Sequence, residues 1–178
     1  MTPRLIIHGG AGKALKDPKR GPLVKAALHS VCGQVYAQLN DGMSAMDAVR
    51  LGCELLEDDV NFNAGTGSVL QVDGQIRMTA SIMDGERQAF SAVVNAQQVQ
   101  HPIAMAHFLS QSPDRVIAGE GASLLARELG LGIYDPRTEK RLREWLQERE
   151  RGFTHDPAEV VATDMNSIEQ HRTGTVGV

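Results

Sequence analysis

Short apolar segments alternate with Asp-Gly pairs in the middle of the chain, and few folds accommodate that pattern. Three of these segments have the composition and alternation of β-strands: residues 68–72, 75–83 and 89–94. Asp73-Gly74 and Asp84-Gly85 separate them, and Asp-Gly is a favoured pair in type I′ hairpin turns. The pattern predicts an antiparallel meander.

Helical patterns lie on both sides of this meander. Residues 21–40 carry apolar side chains at three- and four-residue spacing, and a second helix opens at Ser44 with Asp47 three positions later, as in a capping box. Pro102 suits the first turn of a third helix, and residues 122–129 form a fourth amphipathic pattern.

Two further short strands are expected, at residues 4–8 before a pair of glycines and at residues 114–118. The order of elements predicts an α+β fold in which helices pack on an antiparallel sheet. The 178 residues and the 42% hydrophobic content fit one domain with a core of ordinary size.

The charge and cysteine content exclude several classes of function. The net charge is -4, with acidic and basic residues interleaved, so we expect no nucleic-acid partner. Cys32 and Cys53 both fall within apolar helical patterns, where buried free thiols are expected. No secretory signal and no membrane-spanning apolar run is visible, so we expect a cytoplasmic protein with no membrane partner.

The last third of the chain is much more polar. Residues 136–151 are mostly charged, and they predict a solvated helix whose narrow docking stripe consists of Leu142, Trp145 and Leu146. Residues 152–174 show no sustained periodicity, which is typical of an exposed, mobile tail.

The chain ends in HRTGTVGV, where a threonine hydroxyl follows a glycine carbonyl. If the Thr175 hydroxyl attacks the Gly174 carbonyl, the amide becomes an ester, and water then frees Thr175 as a new N-terminus. Glycine tolerates the strained turn that this attack requires. The released α-amine can act as general base for the same hydroxyl, so Thr175 is a candidate nucleophile and bond 174–175 a candidate autocleavage site.

Five segments together resemble the plant-type asparaginases, also called isoaspartyl peptidases. In chain order they are IIHGGAG, LLEDDVNFNAGTGSVL, ASIMDG, SPDRVIAGEGA and TGTVGV, and they extend over nearly the whole chain. This resemblance implies an N-terminal-nucleophile hydrolase with an αββα sandwich, of which this chain supplies about the first half. It implies an α-subunit, residues 1–174, and a β-subunit that starts at Thr175.

The implied reaction is hydrolysis of β-aspartyl isopeptides and L-asparagine by Thr175, with release of aspartate and with no cofactor in catalysis. Thr173 does not fit the family motif, because cleavage before it would leave Thr-Gly and not Thr-Val-Gly. The implied partners are the chain's own β-subunit and a second αβ heterodimer. The residues that grip the substrate would lie further along the β-subunit.

Two alternatives stay open. Glycosylasparaginases share the fold and the threonine nucleophile, although the absence of a secretory signal and of a disulfide pattern favours the plant-type branch. A chain without most of its β-half could instead be a non-catalytic binding subunit.

The resemblance also assigns roles in two glycine-rich loops. It implies a structural sodium ion held by main-chain oxygens, which at matching positions belong to Leu56, Glu57, Asp59, Phe62, Ala64 and Thr66. It places Asn63 beside the nucleophile, although an asparagine in such a loop more often caps a turn. Gly9 and Gly10 would shape the backbone next to the scissile bond, with His8 a buried structural histidine. Thr79 stands where the family leads us to expect an aspartate.

Overall fold

The computed structural model describes residues 2–10, 18–153 and 176–178. Within these ranges the chain forms helices and one three-stranded sheet. The elements, in order, are α1 (Arg20–Asn40), α2 (Ala45–Asp58), β1 (Met78–Asp84), β2 (Ala89–Ala96), α3 (Pro102–Leu109), β3 (Val116–Ala118), α4 (Glu120–Glu128) and α5 (Glu139–Glu150). The expected mixture of helices and strands is therefore confirmed.

The helix starts follow the local sequence. The Ser44 hydroxyl accepts a hydrogen bond of 3.1 Å from the backbone N–H of Asp47 and so caps α2. Pro102 occupies the first turn of α3, where no intrahelical N–H donor is needed. Thr138 caps α5 through the N–H of Arg141, and α5 therefore starts three residues inside the charged segment.

The sheet has the order β1-β2-β3, with β1 and β2 antiparallel and β2 and β3 parallel. Ile82 lies opposite Ser91 in the first pair, and Val93 lies opposite Ile117 in the second. The predicted three-stranded antiparallel meander is wrong in two respects. Residues 68–72, all described, form no strand. The third strand is β3, which follows α3 in the chain and pairs with β2 in parallel.

Neither Asp-Gly pair forms the predicted type I′ turn. Asp84 pairs with Ala89, so four residues connect β1 to β2. The N–H of Gly74 donates to the carbonyl of Gln71, and only Gly74, with a φ of 77°, has a positive φ there, so this is a β-turn without the two left-handed central residues of type I′. The predicted N-terminal strand is reduced, among the described residues, to a single bridge at His8.

Two clusters of buried side chains form the core. One lies between the sheet and helices α3 and α4 and includes Ile82, Val93, Ile103 and Met105. The other lies between α1 and α2 and is centred on Val35, Leu56 and Phe62. Val178 packs against both clusters, so the described C-terminal residues are part of the core.

The face of the sheet that points away from α3 and α4 is open. Met83 and Phe90, opposite each other on β1 and β2, are 62% and 50% exposed, and Val116 on β3 is 55% exposed. Within the described ranges, no helix combines the length and the hydrophobicity needed to cross a bilayer.

Candidate functional site

The C-terminal residues 176–178 pair with the N-terminal segment. His8 and Gly177 form an antiparallel bridge in which each backbone N–H donates to the other carbonyl, at 2.8 and 2.9 Å. Val178 lies against Gly52 of α2, where a β-carbon would come within 2.9 Å of both Val178 methyl groups. Val178 can therefore pack against α2 at this point because Gly52 has no side chain.

A cavity of about 430 Å³ adjoins this segment. Val176 forms part of its wall, and the wall also includes Cys53, Glu57, Asn63, Ala64, Ser68 and Thr79. The structure therefore brings the predicted site residue Asn63 to the same cavity as the residue that follows Thr175 in sequence. Thr79, the departure from the family pattern, lies in this wall too. Gly174 and Thr175 themselves lie outside the described residues, as do residues 154–173 of the predicted tail.

Gly9 and Gly10 have the geometric features expected of them. A β-carbon at Gly9 would lie 3.0 Å from the Phe62 ring and 3.2 Å from a Leu28 methyl group, so the backbone approaches closely here. Gly10 has a φ of 102°, which side-chain-bearing residues rarely adopt, and its N–H donates to Nδ1 of His8. His8 is exposed, so the prediction that it is buried is wrong. Its ring is joined to Gly10 and its backbone to Gly177.

The six candidate cation ligands lie in residues 56–71, which comprise the end of α2 and the loop after it and which we call the site loop. The carbonyl of Glu57 accepts a hydrogen bond of 2.7 Å from the N–H of Thr66, and the carbonyl of Asp59 accepts one of 3.0 Å from Phe62. A β-carbon at Gly65 would lie 2.3 Å from the Glu57 carbonyl oxygen, so only glycine fits there. These contacts fold the loop back on itself and leave each carbonyl a second lone pair.

Asn63 holds the second half of the site loop through its side chain. Its Oδ1 accepts a hydrogen bond of 2.9 Å from the N–H of Val69. This contact takes a backbone donor that a strand at residues 68–72 would have used, which explains why the predicted strand does not form. Asn63 is therefore both a turn-forming residue and a residue of the cavity wall.

The carboxyl group of Glu57 is a functional candidate that sequence reasoning missed. Its side chain lines the cavity, the residue is only 4% exposed, and its Oε1 accepts a hydrogen bond from the N–H of Ile103. Its Oε2 has no hydrogen-bond partner among the described residues. Burial raises the pKa of Glu57 to about 9, and Glu54 adds to the rise while the Ile103 N–H opposes it. Burial therefore favours the neutral, protonated form of this carboxyl group.

Cys53 lies one helical turn before Glu57 and faces the same cavity. Burial raises the pKa of its thiol to about 12, with Glu57 and Glu54 adding to the rise and the Val178 backbone opposing it. A thiol with this pKa is a poor nucleophile at neutral pH. Cys32 and Cys53 are both free thiols, but only Cys53 is buried as predicted, whereas Cys32 is half-buried.

The described residues offer a metal ion mainly backbone oxygens. In ranges 2–10, 18–153 and 176–178, no group of three or more His, Cys, Asp or Glu side chains is placed to hold a metal ion. Main-chain carbonyls of the site loop are suited to a hard cation that prefers oxygen ligands.

Comparisons with known proteins give consistent matches. A family model described as asparaginase matches residues 1–178. An isoaspartyl peptidase/L-asparaginase of Synechocystis sp. is 51% identical over 178 residues, which is 100% of this chain and 54% of that protein. A plant-type L-asparaginase of Pyrococcus abyssi is 40% identical over 148 residues, covering 83% of this chain and 48% of that protein.

A more distant relative has the same description. An isoaspartyl peptidase/L-asparaginase of Macaca fascicularis is 33% identical over 196 residues, which is 100% of this chain and 61% of that protein. The chain spans about half the length of the relatives it matches.

Proposed function

The chain belongs to the asparaginase family, and from this premise we propose that it is part of an autoproteolytic hydrolase of β-aspartyl isopeptides and L-asparagine. The observation that carries the proposal is the His8–Gly177 bridge, which places Val176 in the wall of the cavity that also contains Asn63. Val176 directly follows Thr175 in the sequence, and this supports the proposal that Thr175 is the nucleophile.

The proposed maturation is an N-to-O acyl shift. The Thr175 hydroxyl oxygen attacks the Gly174 carbonyl carbon, the amide C–N bond breaks, and the hydroxyl proton is transferred to the departing nitrogen. Water then hydrolyses the ester, leaving a carboxyl group on Gly174 and a free α-amine on Thr175. Gly9, with its close backbone approach, and Gly10, with its positive φ, bring the N-terminal backbone to this region without side-chain interference.

The same threonine then performs turnover. Its α-amine accepts the hydroxyl proton, the hydroxyl oxygen attacks the side-chain carbonyl of the substrate, and the leaving amine takes the proton as ammonia or as an amino acid. Water hydrolyses the aspartyl ester and aspartate leaves. Asn63 is proposed to orient the nucleophile from the cavity wall.

The site loop is proposed to hold a structural sodium ion. The ligands would be main-chain oxygens of Leu56, Glu57, Asp59, Phe62, Ala64 and Thr66. The close packing of Gly65 against the Glu57 carbonyl supports the proposal, because it brings the two ends of this stretch of candidate ligands close together. When bound, the cation would fix the shape of the loop, and it would take no part in bond making.

The rest of the catalytic unit is proposed to come from a β-subunit that begins at Thr175. The exposed apolar side chains of Met83, Phe90 and Val116 would then be covered by a second sheet, giving the αββα sandwich, with two αβ units forming a dimer. The length of the relatives supports this proposal.

Aspartate release from β-aspartyl dipeptides, asparagine and glycosylated asparagine tests the proposed function. The full-length protein, expressed to the length of its relatives, should hydrolyse the first two substrates, and Thr175→Ala should abolish the reaction because it removes the nucleophile. Thr173→Ala is the matched control and should stay active. Activity in Thr175→Ala, or turnover of glycosylated asparagine alone, would contradict the proposal.

A further inference from the structure

A segment far from the site loop in sequence holds that loop in place. Residues 134–145, which we call the brace, make four hydrogen bonds to it. The hydroxyl groups of Tyr134 and Thr66 are 2.8 Å apart. The backbone of Gly67 makes two of the bonds: its N–H donates to the carbonyl of Pro136 at 2.9 Å, and its carbonyl accepts from Nε of Arg141 at 2.7 Å. Nε1 of Trp145 donates to the carbonyl of Gln71 at 2.9 Å.

Gly67 is the centre of this contact. The backbone N–H and the carbonyl of Gly67 both form hydrogen bonds with the brace. Gly67 has a φ of 90°, so the loop turns sharply there. The Arg141 side chain is only 12% exposed and also binds Glu144 at 2.9 Å, so its guanidinium direction is fixed. A charged donor held in this way makes a stronger hydrogen bond than a neutral one.

The brace is itself anchored to the sheet. The N–H of Tyr134 donates to the carbonyl of Gln98, just after β2, and Trp145 packs against the α3–sheet core and over Gly74. In the described part of the chain, no residue of α5 is buried, so this helix adds little to the core. Of the predicted docking stripe, Trp145 packs against the core, whereas Leu142 and Leu146 are exposed. The hydrogen bond from Trp145 to the site loop was not predicted.

We propose that Tyr134 and Arg141 are positioning residues for catalysis, which they support by fixing the site loop that carries Asn63. The inference rests on the proposed function. Tyr134 fixes the Thr66 side chain, Arg141 fixes the Gly67 carbonyl, and two residues later the N–H of Val69 binds the Asn63 side chain. The brace supplies no residue to the described wall of the cavity, so it acts on Asn63 and not on substrate.

Tyr134→Phe tests the role of the tyrosine hydroxyl, since it removes that group alone. In the full-length enzyme, kcat for a β-aspartyl dipeptide should fall about fivefold, the factor that corresponds to one ordinary hydrogen bond, while KM stays unchanged. Thr66→Val should give the same loss, and the double variant should lose no more than either single variant. Tyr36→Phe in α1 is the control.

Arg141→Gln tests the charged contact. It should lower kcat about tenfold or more, Arg141→Lys should recover part of the loss, and Arg143→Gln should have no effect. Arg143 is the matched control because it lies on the same helix and pairs with Glu139, away from the site loop. The inference would be overturned if the losses of kcat in Tyr134→Phe and Thr66→Val added in the double variant. It would also be overturned if Arg141→Gln and Arg143→Gln lowered kcat equally.

Amide hydrogen exchange separates this inference from the proposed function, because it needs no activity. Peptides that cover residues 63–71 should exchange faster in Tyr134→Phe and Arg141→Gln than in the parent protein and in Arg143→Gln. If exchange in this region is unchanged, the brace does not fix the loop and the inference fails. If exchange rises but the parent enzyme hydrolyses no β-aspartyl substrate, the proposed function fails and the catalytic role of the brace fails with it.

Discussion

His8 and Gly177 are joined by a reciprocal pair of backbone hydrogen bonds, 2.8 and 2.9 Å long, although 168 residues separate them in sequence. This bridge fixes the register between the N-terminal segment and residues 176–178. Val178 on one side of it is seated on α2, and Val176 on the other side lines the cavity. The stability of this short segment should therefore control how the nucleophile is presented.

Gly52→Ala should displace residues 176–178 from α2. Glycine to alanine in a helix interior normally stabilises a protein by about 0.5–1 kcal/mol. At position 52 the new methyl group would lie 2.9 Å from both Val178 methyl groups, so we expect instead a loss of about 1–3 kcal/mol and slower autocleavage. Urea unfolding and the time course of fragment formation in the full-length protein measure both effects.

Gly33→Ala is the control for this substitution, because a β-carbon at position 33 of α1 meets no atom within 4 Å. It should raise the free energy of unfolding by the normal amount and leave cleavage unchanged. Equal gains in stability for the two variants would show that Val178 does not rest on Gly52.

Gly65→Ala should disrupt the site loop. Its φ of 50° is unfavourable for alanine, and the β-carbon would lie 2.3 Å from the Glu57 carbonyl oxygen. We expect the free energy of unfolding to fall by more than about 2 kcal/mol. If the parent protein melts at a higher temperature in sodium chloride than in choline chloride, we expect this difference to disappear in the variant. Gly85→Ala, at an open position without a positive φ, should keep the stability of the parent protein and its response to sodium. A sodium effect that persists in Gly65→Ala would contradict the cation site.

The helices could be predicted from the sequence because their signals are local. Ser44, Pro102 and the amphipathic spacing in α1 and α2 each act within one or two turns, and the structure confirms them. The strands depend on partners distant in sequence, and here the prediction was less accurate. Residues 68–72 have the composition of a strand, but the Asn63 side chain and the Gln75 carbonyl take up backbone donors there.

The candidate site was predictable where a motif marked it. Asn63 lines the cavity, Gly9 and Gly10 directly follow the bridge residue His8, and the sequence pattern had singled out all three. The Glu57 carboxyl and the Tyr134 and Arg141 contacts were not predictable, because burial and long-range hydrogen bonds leave no local signal. The roles of Gly174 and Thr175 remain predictions, since both lie outside the described residues.

The buried thiol of Cys53 predicts a loss of stability at high pH. Because burial raises its pKa to about 12, the folded protein keeps the proton at pH values where the unfolded chain releases it. The stabilisation is complete below about pH 9 and is lost as the pH rises towards 12, with a slope of up to about 1.4 kcal/mol per pH unit. Urea unfolding between pH 8 and 10.5 measures this slope.

Cys53→Ala should remove this part of the slope, and Cys32→Ala should keep it. The comparison between the two variants cancels contributions from side chains that both proteins share. Identical slopes would mean that Cys53 ionises in the folded protein as it does in the unfolded chain.

The most direct test of the account is the intact mass of the full-length protein after incubation. The account predicts two fragments, of which the first ends at Gly174 and the second begins with a free amine at Thr175, and it predicts the same two masses for Thr173→Ala. Thr175→Ala should give one uncut mass, because no hydroxyl is left to attack the Gly174 carbonyl. A single uncut mass for the parent protein, or a cut at bond 174–175 in Thr175→Ala, would contradict it.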